Sequence, residues 1–344
     1  IYRWENPTAR GVEAMELSVE KSMAAVHAAE PEFAETAVLT IRSGTDLQPF
    51  GYVYGARMGA DSTLERFSAI VDPAADYEVR LQDNPLTTVG NTLYRLHYFG
   101  QIPLGIYISG LVALFFLFAT VTGVMIHWRN IIDKFYAFTV RPSWKQIWTN
   151  THTVLGMIGL PFQIVYAVTG AFYGILILLL IPTALILFGG DQQKIIAAVQ
   201  PSAALTVSDT SAVVDFAGID NLVASAKDRY PGVHLRNVRF ENYGREDAIM
   251  RLYFDDERTV TGVGELVYRA HTGEILFETA PGSGDYINSV ISMMGRLHFA
   301  TYGGLGLRII YFILAMLTCF MLISGVLLWQ AARNKRTYTD KQKR

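Results

Sequence analysis

Four of the seven histidines in the chain lie at the ends of long uncharged stretches of sequence. His97 and His298 stand in a repeated Arg-Leu-His triplet, 201 residues apart, and each opens such a stretch. His127 ends the first stretch, and His152 opens another. An imidazole is costly to bury in lipid unless it has a partner or a ligand, so intramembrane histidines indicate function. The four residues suggest axial ligands for two haems at two membrane depths.

Three uncharged stretches predict membrane spans. Residues 96–128, 146–190 and 309–332 contain no Asp, Glu, Lys or Arg over 33, 45 and 24 positions. About 20 apolar residues are enough for a helix to cross a bilayer. The chain is therefore predicted to be an integral membrane protein that contacts the lipid bilayer. Pro161 and Pro182 are expected to kink or end the middle helix.

Basic residues in the connections predict the topology. The loop 129–151 carries four basic residues against one acid, and the tail after Trp329 carries six against one. Short loops and tails rich in Lys and Arg stay in the cytoplasm. Residues 1–95 and 190–297 have net charges of −6 and −5 and are expected on the outer face.

This topology requires an N-terminus that has crossed the membrane. The start of the chain, Ile1-Tyr2-Arg3-Trp4, is neither a signal sequence nor a spanning helix. We therefore expect a further N-terminal helix that precedes this sequence and brings the number of spans to four. That helix could carry another histidine.

The two outer segments predict similar domains. Each begins with an amphipathic helix, at 12–30 and 216–230, and continues as short strands separated by polar turns. A helix followed by antiparallel strands is typical of a small α+β module. The predicted organisation is a domain at 1–95, a span at 96–128, a loop at 129–151, a span at 152–189, a domain at 190–297, a span at 298–330 and a tail at 331–344.

Pairs of small residues recur at matching places in the spans. Thr122-Gly123 follows His97 by 25 residues, Ser324-Gly325 follows His298 by 26, and Thr169-Gly170 forms a third copy. Small residues let a helix or a flat cofactor approach the backbone closely. The spacing leaves both interpretations open, helix packing and cofactor contact.

Two short motifs carry a family resemblance. Thr272 to Leu276 reads Thr-Gly-Glu-Ile-Leu, and Ser324 to Trp329 reads Ser-Gly-Val-Leu-Leu-Trp. With the Arg-Leu-His triplet between them, they resemble the PepSY-associated transmembrane family over essentially the whole chain. The resemblance implies an α-helical transmembrane bundle with two b-type haems and two α+β PepSY-like periplasmic domains. It also implies the bacterial inner membrane and, within the family, a FoxB-like ferric-siderophore reductase.

The haem ligands are assigned to two depths. His97 and His298 are expected to bracket one haem at the periplasmic side. His152 is expected to hold the cytoplasmic-side haem, with either His127 or a residue of the further helix as its partner. His127 departs from the family, in which many members have an aromatic residue near that position, as this chain has at Trp329.

Three arginines flank the periplasmic-side histidines. Arg95 and Arg296 stand two residues before His97 and His298, and Arg308 follows His298 by ten. Guanidinium groups pair well with carboxylates such as haem propionates. Long basic side chains also reach lipid head groups from the ends of spans. Both roles stay open for the three residues.

The favoured function is transmembrane electron transfer. A quinol or a cytoplasmic reductase would supply electrons, and a ferric siderophore would accept them. The sequence contains neither a Gly-x-Gly-x-x-Gly nucleotide fingerprint nor a phosphate-binding loop, and no nucleic-acid partner is expected. One alternative is a non-redox PepSY-type binding or uptake accessory protein. Another is a cytochrome b subunit that relays electrons to a second periplasmic protein.

Overall fold

The computed structural model describes most of the chain. The described residues are 17–29, 38–42, 51–58, 64–81, 88–136, 143–208, 211–216 and 218–341. The chain divides into two compact units. One unit consists of Ile1–Tyr98 and Thr183–Met293, and the other of Phe99–Pro182 and Met294–Arg344. The ends of the first predicted helix, residues 12–16 and residue 30, lie outside the described ranges.

Ten helices and eight strands follow one another along the described chain. In order they are α1 (Val19–Ala29), β1 (Val38–Arg42), β2 (Gly51–Met58), β3 (Leu64–Asp72), β4 (Glu78–Leu81), α2 (Thr88–His97), α3 (Gly105–His127), α4 (Ile131–Lys134), α5 (Trp144–Ile158), α6 (Leu160–Phe188), α7 (Gln192–Val199), α8 (Ile219–Arg229), β5 (His234–Glu241), β6 (Ile249–Asp255), β7 (Val263–Arg269), β8 (Ile275–Thr279), α9 (Tyr286–Phe299) and α10 (Gly304–Lys341). Short 3₁₀ turns lie at Pro73–Ala75, Trp128–Asn130 and Pro201–Ala204.

All eight strands form a single antiparallel sheet in the first unit. Their order is β4-β3-β2-β1-β5-β6-β7-β8, so each sequence segment supplies one half of the sheet. The halves join where β1 pairs with β5, from Val38 opposite Glu241 to Arg42 opposite Asn237. The prediction of two modules, each a helix followed by strands, matches the element order. The structure adds β4 and the strand pairing that makes the two modules one sheet.

The two module helices share one hydrophobic core. The strands point alternate side chains to opposite faces, and one face packs against α1 and α8. Pairing through β1 and β5 makes this face continuous across both halves. The largest fully buried side chains of the core are Phe240, Phe254, Ile219, Met250, Leu252, Leu266, Val53 and Val71.

A carboxylate of the second module also caps the helix of the first. Oδ1 of Asp220, in the first turn of α8, accepts hydrogen bonds from the backbone N–H of Val19 at 2.8 Å and of Glu20 at 3.2 Å. The hydroxyl of Ser18 donates to the other oxygen of this carboxylate. The first N–H groups of a helix have no partner within the helix, and an anionic acceptor satisfies them best. Asp220 therefore fastens α1 to α8.

The opposite face of the sheet holds a buried ion-pair cluster. Arg251, 3% exposed, donates to Glu241 at 3.0 Å and to Glu265 at 3.3 Å. The hydroxyl of Ser202, in the turn after α7, donates to Glu265 at 2.7 Å. Burial and the Glu265 carboxylate together raise the pKa of Tyr253 to about 12. The cluster attaches the connector after α6 and α7 to the sheet.

Two helices, together with one bent helix pair, are long and apolar enough to cross a membrane. They are Gly105–Lys134, Gly304–Ala331, and Trp144–Ile158 with Leu160–Leu176. The bent pair turns by 73° at its break. The break falls at Gly159, two residues before Pro161, while Pro182 lies inside α6. The predicted kink at Pro161 agrees with this break, but α6 neither ends at Pro182 nor begins at His152.

The starts of the apolar helices differ from the predicted starts of the spans. His97 is the last residue of α2, and His298 is the penultimate residue of α9. A turn follows each helix before α3 begins at Gly105 and α10 at Gly304. The apolar helices thus begin after the Arg-Leu-His triplets and not at them, while the limits of the membrane spans stay a prediction. His152 likewise lies in the middle of α5, because the capping box of Ser143 and Gln146 starts this helix earlier.

Asp220→Ala is expected to destabilise the sheet-containing unit by about 1–2 kcal/mol, because α1 loses its anionic cap. Thermal unfolding of the purified protein, followed by circular dichroism, measures the effect. Asp228→Ala is the matched control, since Asp228 is exposed on the same helix. Equal melting temperatures for the two variants would contradict the capping role.

Candidate functional site

His152 is held on α5 by the backbone of α10. Its Nδ1 lies 2.9 Å from the carbonyl oxygen of Met321. A carbonyl can only accept, so Nδ1 carries the proton and the imidazole lone pair is on Nε2. The Ser324 hydroxyl donates to the same carbonyl at 2.7 Å. One helix carbonyl therefore fixes both the orientation and the tautomer of His152.

Gly325 makes room for the His152 ring. A Cβ atom built on Gly325 would lie 3.0 Å from Cε1 and 3.1 Å from Nδ1 of His152. Such distances are shorter than ordinary van der Waals contact, so any side chain at this position would push the imidazole away. The Ser324-Gly325 pair thus supplies a hydroxyl beside the accepting carbonyl and the space for the ring.

His298 is held by a side chain rather than by the backbone. Its Nδ1 lies 2.9 Å from the hydroxyl oxygen of Thr169 on α6. That hydroxyl donates its own proton to the carbonyl of Val165, at 2.7 Å. Thr169 therefore accepts from Nδ1–H, and His298, like His152, has its lone pair on Nε2. Thr169 is only 1% exposed, which keeps water from competing for this hydrogen bond.

Aromatic rings surround the His298 imidazole. The centroid of the Tyr166 ring lies 5.4 Å from that of His298, and the Tyr173 ring lies 5.3 Å away. The Tyr166 hydroxyl also donates to the backbone carbonyl of His298 at 3.1 Å. Tyr166 contacts Tyr311 of α10 in turn, with ring centroids 5.8 Å apart. The end of α9 is thereby packed against α6 by rings as well as by Thr169.

We call the surroundings of His152 and of His298, with the hydrogen-bond acceptor of each Nδ1–H, the two histidine seats. They lie at different levels along α10. Tyr311 marks the level of the rings around His298, and Met321 marks the level of His152. Ten residues of helix separate them, which is about 15 Å at the rise of an α-helix. His298 and His152 thus lie at different levels of the helical unit, while their assignment as haem ligands at two membrane depths stays a prediction.

The other two predicted ligands are placed as follows. His97 is exposed at the end of α2, and its pairing with His298 stays a prediction. His127 is half-buried at the end of α3. Across the described part of the chain, no hydrogen bond or ring contact joins His127 to His152. Two axial ligands lie on opposite sides of the iron and do not contact each other, so the lack of a contact does not decide the question. His127 also stays a predicted ligand.

The three arginines have different surroundings. Arg95 is exposed on α2, whereas Arg296 is buried on α9 with 3% of its surface accessible. Arg308 donates through Nε to the carbonyl of Ala300, at 3.3 Å. Ala300 has a φ of 48°, a strained value for an alanine, and it lies in the turn between α9 and α10. Arg308 thus supports the turn that positions His298.

The two seats fit imidazole ligands of iron. A metal-binding histidine usually donates its second ring N–H to a carbonyl or another acceptor, which fixes the tautomer and raises ligand basicity. His152 and His298 both do so. A haem iron needs only one or two protein ligands, because the porphyrin supplies the others. Within the described ranges, no three or more His, Cys, Asp or Glu side chains form a metal site.

Comparison with known families assigns the chain. The family model described as PepSY-associated TM region matches residues 1–332. The chain belongs to the PepSY-associated transmembrane family. No curated protein matches it in sequence. The family assignment confirms the resemblance carried by the two short motifs, and it agrees with the helices that are long and apolar enough to span a membrane.

Residue type and spacing did not reveal three parts of the site, which are Thr169, Tyr166 and the Met321 carbonyl. A signal for two of the contacts was present in the repeated Thr-Gly and Ser-Gly pairs. Thr169-Gly170 supplies the acceptor of His298, and Ser324-Gly325 lies against His152. Gly170 also faces Ala113 of α3, where its built Cβ would lie 3.2 Å from the alanine Cβ. Close helix packing is therefore present at these pairs, and contact with a cofactor stays a prediction.

Gly325→Ala is expected to displace His152 and to destabilise the helical unit by about 1–3 kcal/mol, because the new methyl group overlaps the ring. Gly123→Ala is the matched control. Gly123 holds the equivalent position on α3, where a Cβ would meet no described atom within 4 Å. The control should be neutral or slightly stabilising, since alanine favours a helix by about 1 kcal/mol. Equal thermal stability of the two variants in detergent would contradict the role of Gly325.

Proposed function

We propose that the chain is a di-haem b-type electron-transfer protein of the bacterial inner membrane that reduces ferric siderophores at its periplasmic face. The observation that supports the proposal most is the hydrogen bonding of two histidines at Nδ1. His152 and His298 each have Nδ1–H bonded to an acceptor on a neighbouring helix, at 2.9 Å in both cases. In this proposal Nε2 of each ring would bind the iron.

The residues have separate tasks in this function. His152 and His298 would each hold one haem, with His97 as the partner of His298 and His127 or a residue of a further helix as the partner of His152. A bound haem supplies an iron that can take up and give away one electron. Thr169 and the Met321 carbonyl keep the imidazoles oriented through that change. Tyr166 and Tyr173 pack around His298, and apolar packing of this kind keeps water from the iron.

The electron path begins at a donor on the cytoplasmic side, which would be a quinol or a cytoplasmic reductase. Each electron passed on converts one ferric ion of the siderophore to the ferrous ion, and the donor is oxidised by one electron. The hard oxygen ligands of a siderophore hold the less charged ion more weakly. Iron is thereby released without hydrolysis of the chelator, and neither a nucleotide nor a catalytic nucleophile is needed.

Histidine variants test the ligand assignment. His298→Ala or His97→Ala should remove one haem and leave the other, and His152→Ala should remove the second, because an iron that loses an axial imidazole is held less tightly. The pyridine haemochrome assay of the purified variants measures the haem lost. His271→Ala is the control, since His271 is exposed in a turn of the sheet-containing unit. Loss of both haems from His298→Ala would contradict the assignment to two depths.

The acceptor is tested by anaerobic mixing of the reduced protein with a ferric siderophore. Rapid reoxidation of the haem absorption, with ferrous iron captured by a ferrous-specific chelator, is the expected result. Haem that stays reduced while no ferrous iron is trapped would contradict siderophore reduction. That result would favour a cytochrome b subunit that passes electrons to another periplasmic protein.

A further inference from the structure

One buried hydroxyl group lies next to each of the two histidine seats. The two hydroxyls have opposite effects on the strength of the Nδ1–H hydrogen bond. The hydroxyl of Thr169 is itself the acceptor of the His298 Nδ1–H. The hydroxyl of Ser324 is an additional donor to the carbonyl that accepts from His152. Thr169 is 1% exposed and Ser324 is 0% exposed, so water competes with neither.

The Thr169 hydroxyl strengthens its hydrogen bond to His298. Because it donates to Val165 at 2.7 Å, its oxygen becomes a better acceptor for Nδ1–H. An imidazole that shares its Nδ1 proton more fully gives more electron density from Nε2 to a metal. An electron-rich axial ligand stabilises the ferric state. Thr169 should therefore lower the reduction potential of a haem bound at His298.

The Ser324 hydroxyl weakens the hydrogen bond to His152. The Met321 carbonyl accepts the backbone N–H one turn further along α10 as well as the Nδ1–H of His152, and the Ser324 hydroxyl at 2.7 Å is a further donor that draws electron density from the oxygen. The carbonyl then pulls less strongly on the Nδ1 proton of His152. The imidazole gives less electron density to the metal, so Ser324 should raise the reduction potential of a haem bound at His152.

We propose that Thr169 and Ser324 are positioning residues that tune the two haem sites in opposite directions, Thr169 through His298 and Ser324 through His152. The proposal rests on the proposed function for the presence of haem. The hydrogen bonds on which it is based are formed by the protein alone, and they differ between His152 and His298.

Thr169→Val should shift the reduction equilibrium of one haem about tenfold toward the reduced form, which is about +59 mV for a one-electron couple. The other haem should keep its potential. Thr169→Ser restores the hydroxyl and should restore the potential, which a loss of packing alone would not do. Potentiometric titration followed by absorption spectroscopy measures both haems in one sample. An unshifted potential in Thr169→Val would overturn the assignment of Thr169.

Ser324→Ala should shift the equilibrium of the other haem about threefold toward the oxidised form, because the Met321 carbonyl then has one competing donor fewer and accepts more strongly from His152. Thr318→Ala is the matched control. Thr318 also donates to a carbonyl of α10, that of Leu314 at 2.9 Å, but that carbonyl does not hold His152. A shift of the same sign for Ser324→Ala and Thr169→Val would overturn the proposal.

Nitrogen-15 NMR of histidine-labelled, haem-free protein separates this proposal from the proposed function. Both His152 and His298 should show the Nδ1–H tautomer, and Thr169→Val should change the signal of His298 only. If the protein binds no haem, the proposed function fails, while these signals still decide whether the hydroxyls act on the imidazoles. Nε2–H tautomers at His152 and His298 would overturn the proposal whatever the haem content.

Discussion

The helical unit depends on hydrogen bonds that pair the Nδ1–H groups of two of its histidines, His152 and His298. A polar ring inside an apolar bundle is costly unless it has a partner. The Met321 carbonyl meets that need for His152, and the Thr169 hydroxyl meets it for His298. Each bond joins two helices, so it fixes helix placement and ring orientation together. The same bond selects the tautomer that leaves Nε2 for a metal.

The backbone of the helical unit is arranged to allow these bonds. The break at Gly159 turns the chain by 73° between α5, which carries His152, and α6, which carries Thr169. Glycines allow close helix contacts elsewhere, since Gly110 of α3 and Gly174 of α6 meet with no space for a side chain. In the sheet-containing unit, too, a hydrogen bond joins two helices, because Asp220 of one module accepts from the backbone N–H at the start of the other module's helix.

Local sequence patterns predicted the elements better than their boundaries. The spans followed from the absence of charge, and most strands from alternation between turns. The pairing of β1 with β5 could not be predicted, because it joins residues 195 to 203 positions apart and leaves no local signal. The helices that end at His97 and Phe299 were missed because apolar composition continues through the turns into α3 and α10. The histidines themselves were identified from residue type and repeat, whereas their partners required the three-dimensional contacts.

Haem binding at His152 and His298 can be measured from the haem-to-protein ratio and the absorption spectrum of the purified wild-type protein. We expect two haems per chain and, on reduction, the sharp α-band of low-spin iron with two imidazole ligands. A protein purified without haem, with no reducible Soret band after reconstitution with hemin, would show that these histidines do not bind haem.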